Sequence, residues 1–299
     1  MAIFQNNKNI FKIILFFLML FCLWHFSLRI LVADYYYQKV LKTEDWPTVL
    51  NNYKKVFLLN SEEPFYHQKF SKDLKWGLKF YQSQESKLKI LDLAIKQMER
   101  IEENERAFNT KIYLAQLYLE KFGLTQQTID FNQAKNALSN AQSMSPLIAK
   151  TYLEFCQLYI YQKDYFQAEE NCQKALSLIP PLNYPRLTAY HKKLIEAEMA
   201  QAYEKMAKIY LENKNYQEAE KMYLQILRYF PFQRVDLWKK IGDLYYLQGD
   251  LEQAIARNLH GHILQPNSDF WKLNLSLLYQ EWGQTPADPP QQTRSQSAP

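Results

Sequence analysis

Polar and apolar positions follow two different patterns along this chain. Residues 11–32, FKIILFFLMLFCLWHFSLRILV, form one apolar run, and between Lys12 and Arg29 only His25 and Ser27 are polar. As a helix the run spans about 33 Å, which matches a hydrocarbon core of about 30 Å. Lys12 and Arg29 sit near its ends, where long basic side chains reach the headgroups. Tyr35, Tyr36 and Tyr37 follow at the expected boundary, and Trp24 adds a further amphipathic ring. The run predicts a single transmembrane helix over 11–32 behind a short tail, 1–10. The rival is a cleaved signal peptide, but the run is long for one and Leu31-Val32-Ala33 is a poor cleavage site. Bulky Phe21 before Cys22 argues against a lipoprotein signal.

Beyond residue 33 the apolar positions recur at three- and four-residue spacing, the mark of amphipathic helices. They also recur as blocks. Tyr152, Phe155, Cys156, Tyr159, Ala168, Cys172, Ala175 and Pro180 form one block. Tyr203, Met206, Ala207, Tyr210, Ala219, Tyr223, Ile226 and Pro231 form a second, and Trp238, Ile241, Gly242, Tyr245, Ala254, Asn258, Gly261 and Pro266 a third. Each block is two helices. The small residues mark where they approach, the large ones fill the space between neighbouring pairs, and the proline stops the second helix. No such pair buries its apolar face alone, so the core grows by stacking.

These blocks fit the 34-residue signature W-x2-L-G-x2-Y…A-x3-F…P, and the chain resembles the tetratricopeptide repeat family. Weaker copies flank them. One uses Leu114, Ala115 and Tyr118, then an insertion around 125–131, then Ala134, Leu138, Ala141 and Pro146. Another, at the end of the apolar run, uses Tyr36, Tyr37, Val40, Val49, Tyr53, Val56 and Ser61. Residues 64–105 hold a further helix pair of ambiguous register, and 269–283 a closing helix. The expectation is an all-α protein: one transmembrane helix, then an α-solenoid of about six repeats over 33–283. The anchor helix is expected to run straight into the first repeat. The extra residues after Pro180 lengthen the first helix of the fifth repeat from Leu187 onwards, either as a harmless packed extension or as a contact surface. The tail 284–299, QTPADPPQQTRSQSAP, is rich in Pro, Gln and Ser and is expected to be disordered.

Composition agrees with helices. There are only 6 glycines against 22 tyrosines and 18 phenylalanines, too few glycines for the turns of a large β fold. The net charge of +5 is spread out, so no basic stripe marks a nucleic-acid surface. No Gly-rich phosphate loop, HExxH or GxSxG occurs. His260 and His262 are two apart on a helix and point to different faces. His67 and His191 show no partner in sequence, and His25 reads as a tolerated residue within the apolar run. The run Glu99, Glu102, Glu103, Glu105 reads as a solvated helix end. Neither an enzyme nor a cofactor is implied. Cys156 and Cys172 fall on facing helices of one repeat, and either a disulfide or simple small-residue packing explains them.

The resemblance implies a binding surface in the concave groove lined by first helices. By register it falls on Gln157, Ile160 and Tyr161, then Glu204, Lys208 and Glu212, then Lys239, Asp243 and Tyr246. This mix of Lys, acids and Tyr suits a protein or peptide partner. The carboxylate clamp that grips chaperone tails needs Asn where Asp243 stands, so that ligand is not expected. The protein is thus expected to be a membrane-anchored interaction scaffold. Lysine and arginine are nearly tied across the apolar run. A short tail is expected to stay cytoplasmic, which would put the solenoid outside the cytoplasm. The text ADYYYQKV…YKKVFLLNSEEPFY is also similar to the C-terminal region of bacterial O-antigen-ligase-like proteins, which implies, as the alternative, an accessory subunit of a cell-surface polysaccharide polymerase or ligase.

Overall fold

The computed structural model describes residues 14–283 apart from 62, 103–106, 183 and 185–186. The expected tails 1–10 and 284–299 lie outside the described residues. Every described regular element is helical. Residues 14–23 form an α-helix that continues through a π-helical turn, Trp24–Leu28, into α1, Arg29–Leu41. Then follow α2 (Trp46–Leu59), α3 (Pro64–Gly77), α4 (Gln84–Glu102), α5 (Phe108–Thr125) and α6 (Thr128–Met144). These belong to a first compact unit, Met1–Pro146. The second unit, from Leu147, holds α7 (Ala149–Gln162), α8 (Tyr165–Leu178), α9 (Ala189–Glu212), α10 (Tyr216–Tyr229), α11 (Asp236–Leu247), α12 (Leu251–Leu264) and α13 (Asp269–Glu281).

The second unit consists of antiparallel pairs α7/α8, α9/α10 and α11/α12, closed by α13. One turn makes all three pairs. The first helix ends on a residue of positive φ: Lys163 at 63°, Lys214 at 56°, Gly249 at 80°. The next amide bonds back to a tyrosine carbonyl: Asp164 to Tyr159 at 3.0 Å, Asn215 to Tyr210 at 2.8 Å, Asp250 to Tyr245 at 3.0 Å. This is the Schellman closure, which satisfies carbonyls the helix leaves open. The same Asp or Asn then caps the second helix, accepting from the amides of Gln167, Glu218 and Gln253 at 3.1, 3.4 and 3.0 Å.

Two of these tyrosines also reach back to the preceding pair. The Tyr210 hydroxyl donates to Glu169 at 2.6 Å, and the Tyr245 hydroxyl donates to Glu220 at 2.7 Å. Glu169 and Glu220 follow the equivalent buried alanines Ala168 and Ala219. Burial and the neighbouring carboxylate both push the Tyr210 hydroxyl well above its ordinary pKa.

Small residues permit the close approaches. Ala168, Cys172 and Ala175 of α8 are fully buried, as are Ala219 of α10 and Ala254 of α12. A Cβ on Gly242 would overlap the Asn258 side-chain amide, and one on Gly261 would overlap the Trp271 ring of α13. Each pair's core is completed by the next first helix: Cys156, Ile160, Ala168 and Cys172 pack with Met206 and Ile209 of α9. Likewise Ala219, Tyr223 and Ile226 pack with Leu237, Ile241 and Leu244 of α11. Cys156 and Cys172 are joined in a disulfide, with Cα atoms 5.4 Å apart.

Helix α9 is 24 residues long, as the residues after Pro180 predicted, and starts at Ala189 on a Thr188 cap. Its extension is packed: Ile195 joins Ala149, Leu153 and Ala175, while Tyr190 and Leu194 face out.

In the first unit α1 pairs with α2 through Tyr37, Val40, Val49, Tyr53 and Val56, all buried. The ambiguous segment resolves into α3 and α4. The expected insertion near 125–131 is not a loop. Its residues are absorbed into α5 and α6, leaving Gln126, at φ 54°, and Gln127 between them. His67 has partners the sequence did not suggest. Its ring stacks on Phe57 at 4.5 Å, and Nε2 lies 3.1 Å from the Ser61 carbonyl, so Nε2 carries the proton. His191 is bonded to Thr188, and His260 stacks on Trp238 at 4.8 Å.

The expected transmembrane helix over 11–32 is not shown. Among the described residues no helix is long and apolar enough to cross a membrane. Residues 11–13 of the expected span lie outside the described ones, and the π turn at Trp24–Leu28 divides the rest. The expectation that the run passes directly into the first repeat does hold for residues 14–41, which are helical throughout.

Two predictions follow from these contacts. Tyr210→Phe removes the bond to Glu169 of the preceding pair and Asp250→Ala removes a cap of the repeated turn, and each lowers unfolding free energy by about 1 kcal/mol in denaturant titration. The second concerns His67. Burial holds its imidazole neutral and pulls its pKa from 6.5 down to about 4. The unfolded chain therefore takes up the proton first, and stability falls as pH drops from about 6.5 to about 4, by an upper limit of about 3 kcal/mol. His67→Phe abolishes that part of the pH dependence, read as the change in melting temperature between pH 7 and pH 4.

Candidate functional site

The face formed by the first helices α7, α9, α11 and α13 carries most of the residues expected to bind a partner. Gln157 of α7 accepts from Lys205 of α9 at 2.6 Å. The Lys208 ammonium stands over the Tyr161 ring, 6.0 Å from its centroid. Glu204 sits between Arg234 and Lys240, at 3.2 and 2.7 Å, and Arg234 also bonds Asp236 at 3.2 Å. Lys239 and Asp243, one turn apart on α11, pair at 2.7 Å. The Tyr246 hydroxyl donates to Glu281 of α13 at 3.1 Å.

Two expected residues are placed otherwise. Ile160 is buried in the core with Met206 and Ile209 and does not line the face. It was assigned with its neighbour Tyr161, and a one-residue step on a helix turns a side chain by about 100°. Glu212 lies at the end of α9 and accepts from Tyr165 of α8 at 3.5 Å, at the margin of the face.

The sequence reading missed Lys205, Arg234, Lys240 and Glu281. Arg234 lies in the connection between α10 and α11, where repeat spacing says nothing. Burial tends to raise the Glu204 carboxyl's pKa, but the hydrogen bond and charge of Lys240, with Arg234, outweigh it and hold the group below the ordinary carboxylate value. Arg234 itself gains from Asp236 and Glu204 more than it loses by burial.

The face changes character on α13. The 34-residue period carries Lys239 to Leu273 and Asp243 to Leu277, and Phe270 precedes them by one turn. All three are exposed, at 62%, 55% and 50% for Leu273, Leu277 and Phe270. The opposite side of α13 is closed, with Trp271 and Leu275 buried. The same spacing that located Lys239 would have found these leucines. The face therefore runs from paired charges to bare aliphatic surface.

Elsewhere, an open cleft of about 680 Å³ lies at the α1–α2 turn, bordered by Val40, Val49, Asp73, Trp76 and Phe80. Asp73 there already accepts from Tyr53 at 2.6 Å and lies 3.6 Å from Lys69. Among the described residues no group of three or more His, Cys, Asp or Glu could hold a metal ion.

No family model matches the chain. No curated protein matches it either. Among solved structures it is similar to a tetratricopeptide repeat protein from Parabacteroides merdae, at 15% identity over 86% of this chain and 94% of that one, with a TM-score of 0.47. It is similar to pilF of Pseudomonas aeruginosa at 16% identity, over 85% and 98% of the two chains, with a TM-score of 0.46. YrrB, described as a tetratricopeptide protein with an unusual peptide-binding site, is similar at 14% identity over 75% and 97%, with a TM-score of 0.42.

The charge network gives a measurable expectation. The folded chain holds Glu204 below its ordinary value, so the stabilisation is present above about pH 4.5 and is lost as pH falls through the lower folded value. Glu204→Gln should cost roughly 0.5–1 kcal/mol at pH 7, as a partly exposed network does, and nothing once the carboxylate is protonated. Denaturant titrations at pH 7 and below pH 4 check both halves.

Proposed function

We propose that this protein is an interaction scaffold that binds a segment of another protein on the face of α7, α9, α11 and α13. One observation carries the reading: Phe270, Leu273 and Leu277 continue that face as exposed apolar surface beyond the charged part. Stacked repeats normally end in a helix with a polar outer face, because an apolar one is left against water. The occupant this favours is a peptide or amphipathic helix with apolar side chains at one end. At its other end, polar groups would meet Lys208, Lys239 and Asp243. The side chains nearby are hydrogen-bonding and packing groups, and the reading needs neither cofactor nor catalysis.

The scaffold is held at a membrane by its N-terminal apolar segment. Thirteen exposed large apolar side chains among the described residues speak for this, from Ile14 at 56% exposed through Phe17 at 64% to Leu31 at 64%, a surface that water does not favour. The repeats then lie outside the cytoplasm, and the Cys156–Cys172 disulfide supports that side, since such bonds persist in oxidising compartments.

The test is crosslinking and recovery of partners with the full-length protein from membranes. Lys208→Glu and Leu273→Asp should each reduce recovery of the same crosslinked partner about tenfold or more, as loss of a central interface residue does. Equal recovery with both variants overturns the assignment of this face. The anchoring claim fails if alkaline carbonate extracts the intact protein from its membranes.

A further inference from the structure

A second group of exposed apolar side chains lies in the first unit, where the N-terminal helix meets the first repeat. Leu31 and Tyr35 of α1 are 64% and 56% exposed. Leu58, at the end of α2, is 85% exposed, and Phe65, in the first turn of α3, is 50% exposed. Isolated exposed apolar residues are ordinary on a protein surface. These four are unusual in their placement.

They share a level along the helix axis and not a face. Helix α2 runs antiparallel to α1, and the Tyr37 and Tyr53 rings meet with centroids 6.4 Å apart. Counting from that contact at about 1.5 Å per residue, Leu58 is level with residue 32. Helix α3 begins at the same place. The Tyr66 hydroxyl donates to Asp34 at 3.2 Å, and the Phe65 ring lies 5.3 Å from that of Tyr37. The four side chains thus occupy one slab, from residue 31 to residue 37 of α1, about 9 Å thick. They leave it in different directions from three helices. Basic groups stand at tyrosine rings, Lys39 two residues beyond the slab and Lys55 within it by the same count. The Lys55 ammonium is 4.8 Å from the Tyr36 ring centroid, and that of Lys39 is 4.6 Å from the Tyr35 ring centroid. Among the described residues, Asp34 accepts from Tyr66, and Glu63 accepts from the Phe65 amide at 3.4 Å.

A protein partner would meet a face. A plane perpendicular to the emerging helix meets a level, whichever way the side chains point. We propose that Leu31, Tyr35, Leu58 and Phe65 form a collar that seats the first repeat in the interfacial zone of a lipid bilayer. The ammonium groups of Lys39 and Lys55, held at the Tyr35 and Tyr36 rings, are within reach of its phosphates. The collar is continuous with the exposed apolar surface of residues 14–31, and the inference rests on the membrane reading above. Leucine, phenylalanine and tyrosine beside lysine are the side chains that zone takes, and its depth of about 5–10 Å accommodates the slab. The first repeat is thereby fixed against the surface and does not swing on a tether.

The experiment uses the full-length chain reconstituted in phosphatidylcholine vesicles, with a fluorescent thiol label and lipid-borne quenchers. Cys22 is the free cysteine among the described residues, and Cys156 and Cys172 are bonded to each other. A label on Cys22 reports the anchor, using a quencher at the end of the acyl chain. With Cys22→Ser as background, Leu58→Cys and Phe65→Cys report the collar, using a quencher near the headgroup. Lys42→Cys, at the far end of α1, is the reference. Labels at 58 and 65 should be quenched at least about twofold more than the label at 42, as burial by about 5–10 Å requires. If Cys22 is quenched while 58 and 65 match 42, the collar is overturned and the anchor stands. If Cys22 is not quenched, both are overturned.

Discussion

The second unit depends on what a single tyrosine does twice. In α9 and α11 the carbonyl of Tyr210 or Tyr245 closes the turn into its own second helix. The hydroxyl of the same residue holds a glutamate of the preceding pair. The first bond sets two helices antiparallel, and the second sets one pair against the next. Either alone is worth about 1 kcal/mol, little beside the apolar burial of a pair. Their effect is on register. A pair closed one residue later would move Ala168 or Ala219 off the contact line and place a larger side chain where only a small one fits.

That register decides what the outer face can be. With Met206 and Ile209 committed to the disulfide-bearing pair, and Leu237, Ile241 and Leu244 to the next, Glu204, Lys208, Lys239 and Asp243 are left outside the core. Charges there pair with one another: Glu204 with Arg234 and Lys240, and Lys239 with Asp243. A partner meeting this part of the face exchanges one set of ion pairs for another, which supplies selectivity more than affinity. Apolar burial has to come from α13, where the same register positions hold Leu273 and Leu277. Affinity and discrimination are therefore carried by different helices.

The helix pairs, their stops at Pro180, Pro231 and Pro266, and the small contact residues were legible because each is a local choice repeated at a fixed interval. The length of α9 was legible as a departure from that interval, because the residues from Leu187 onwards extend the helical pattern. Leu273 and Leu277 lay on that period and were passed over, but other omissions have no period. Arg234 lies in a connection, and its partner Glu204 is thirty residues away. His67 takes its environment from Phe57 and Ser61, brought to it by a turn that breaks the repeat pattern at Ser61. Lys163 and Lys214 adopt positive φ although the residue type does not ask for it. The turn was nevertheless readable from the tyrosine five residues before each Asp or Asn. Ile160 shows the limit of register arguments: it was assigned with a correct neighbour and lies inside, because a helix face is only about 100° wide.

Exposed apolar surface occurs in both units, and its arrangement separates two kinds of partner. On α13, Phe270, Leu273 and Leu277 are spaced by three and four residues along one helix, so they point one way. Such a stripe is complementary to another helix or an extended segment, which also presents a line of side chains. Around α1 the exposed residues come from three helices and point apart, yet agree in height to within two helical turns. No single protein surface is complementary to that arrangement without wrapping round all three helices. A bilayer is, because its chemistry varies along its normal and hardly at all within its plane. The distinction between a shared direction and a shared height is therefore a physical criterion for assigning the two surfaces. It requires only residue register and exposure.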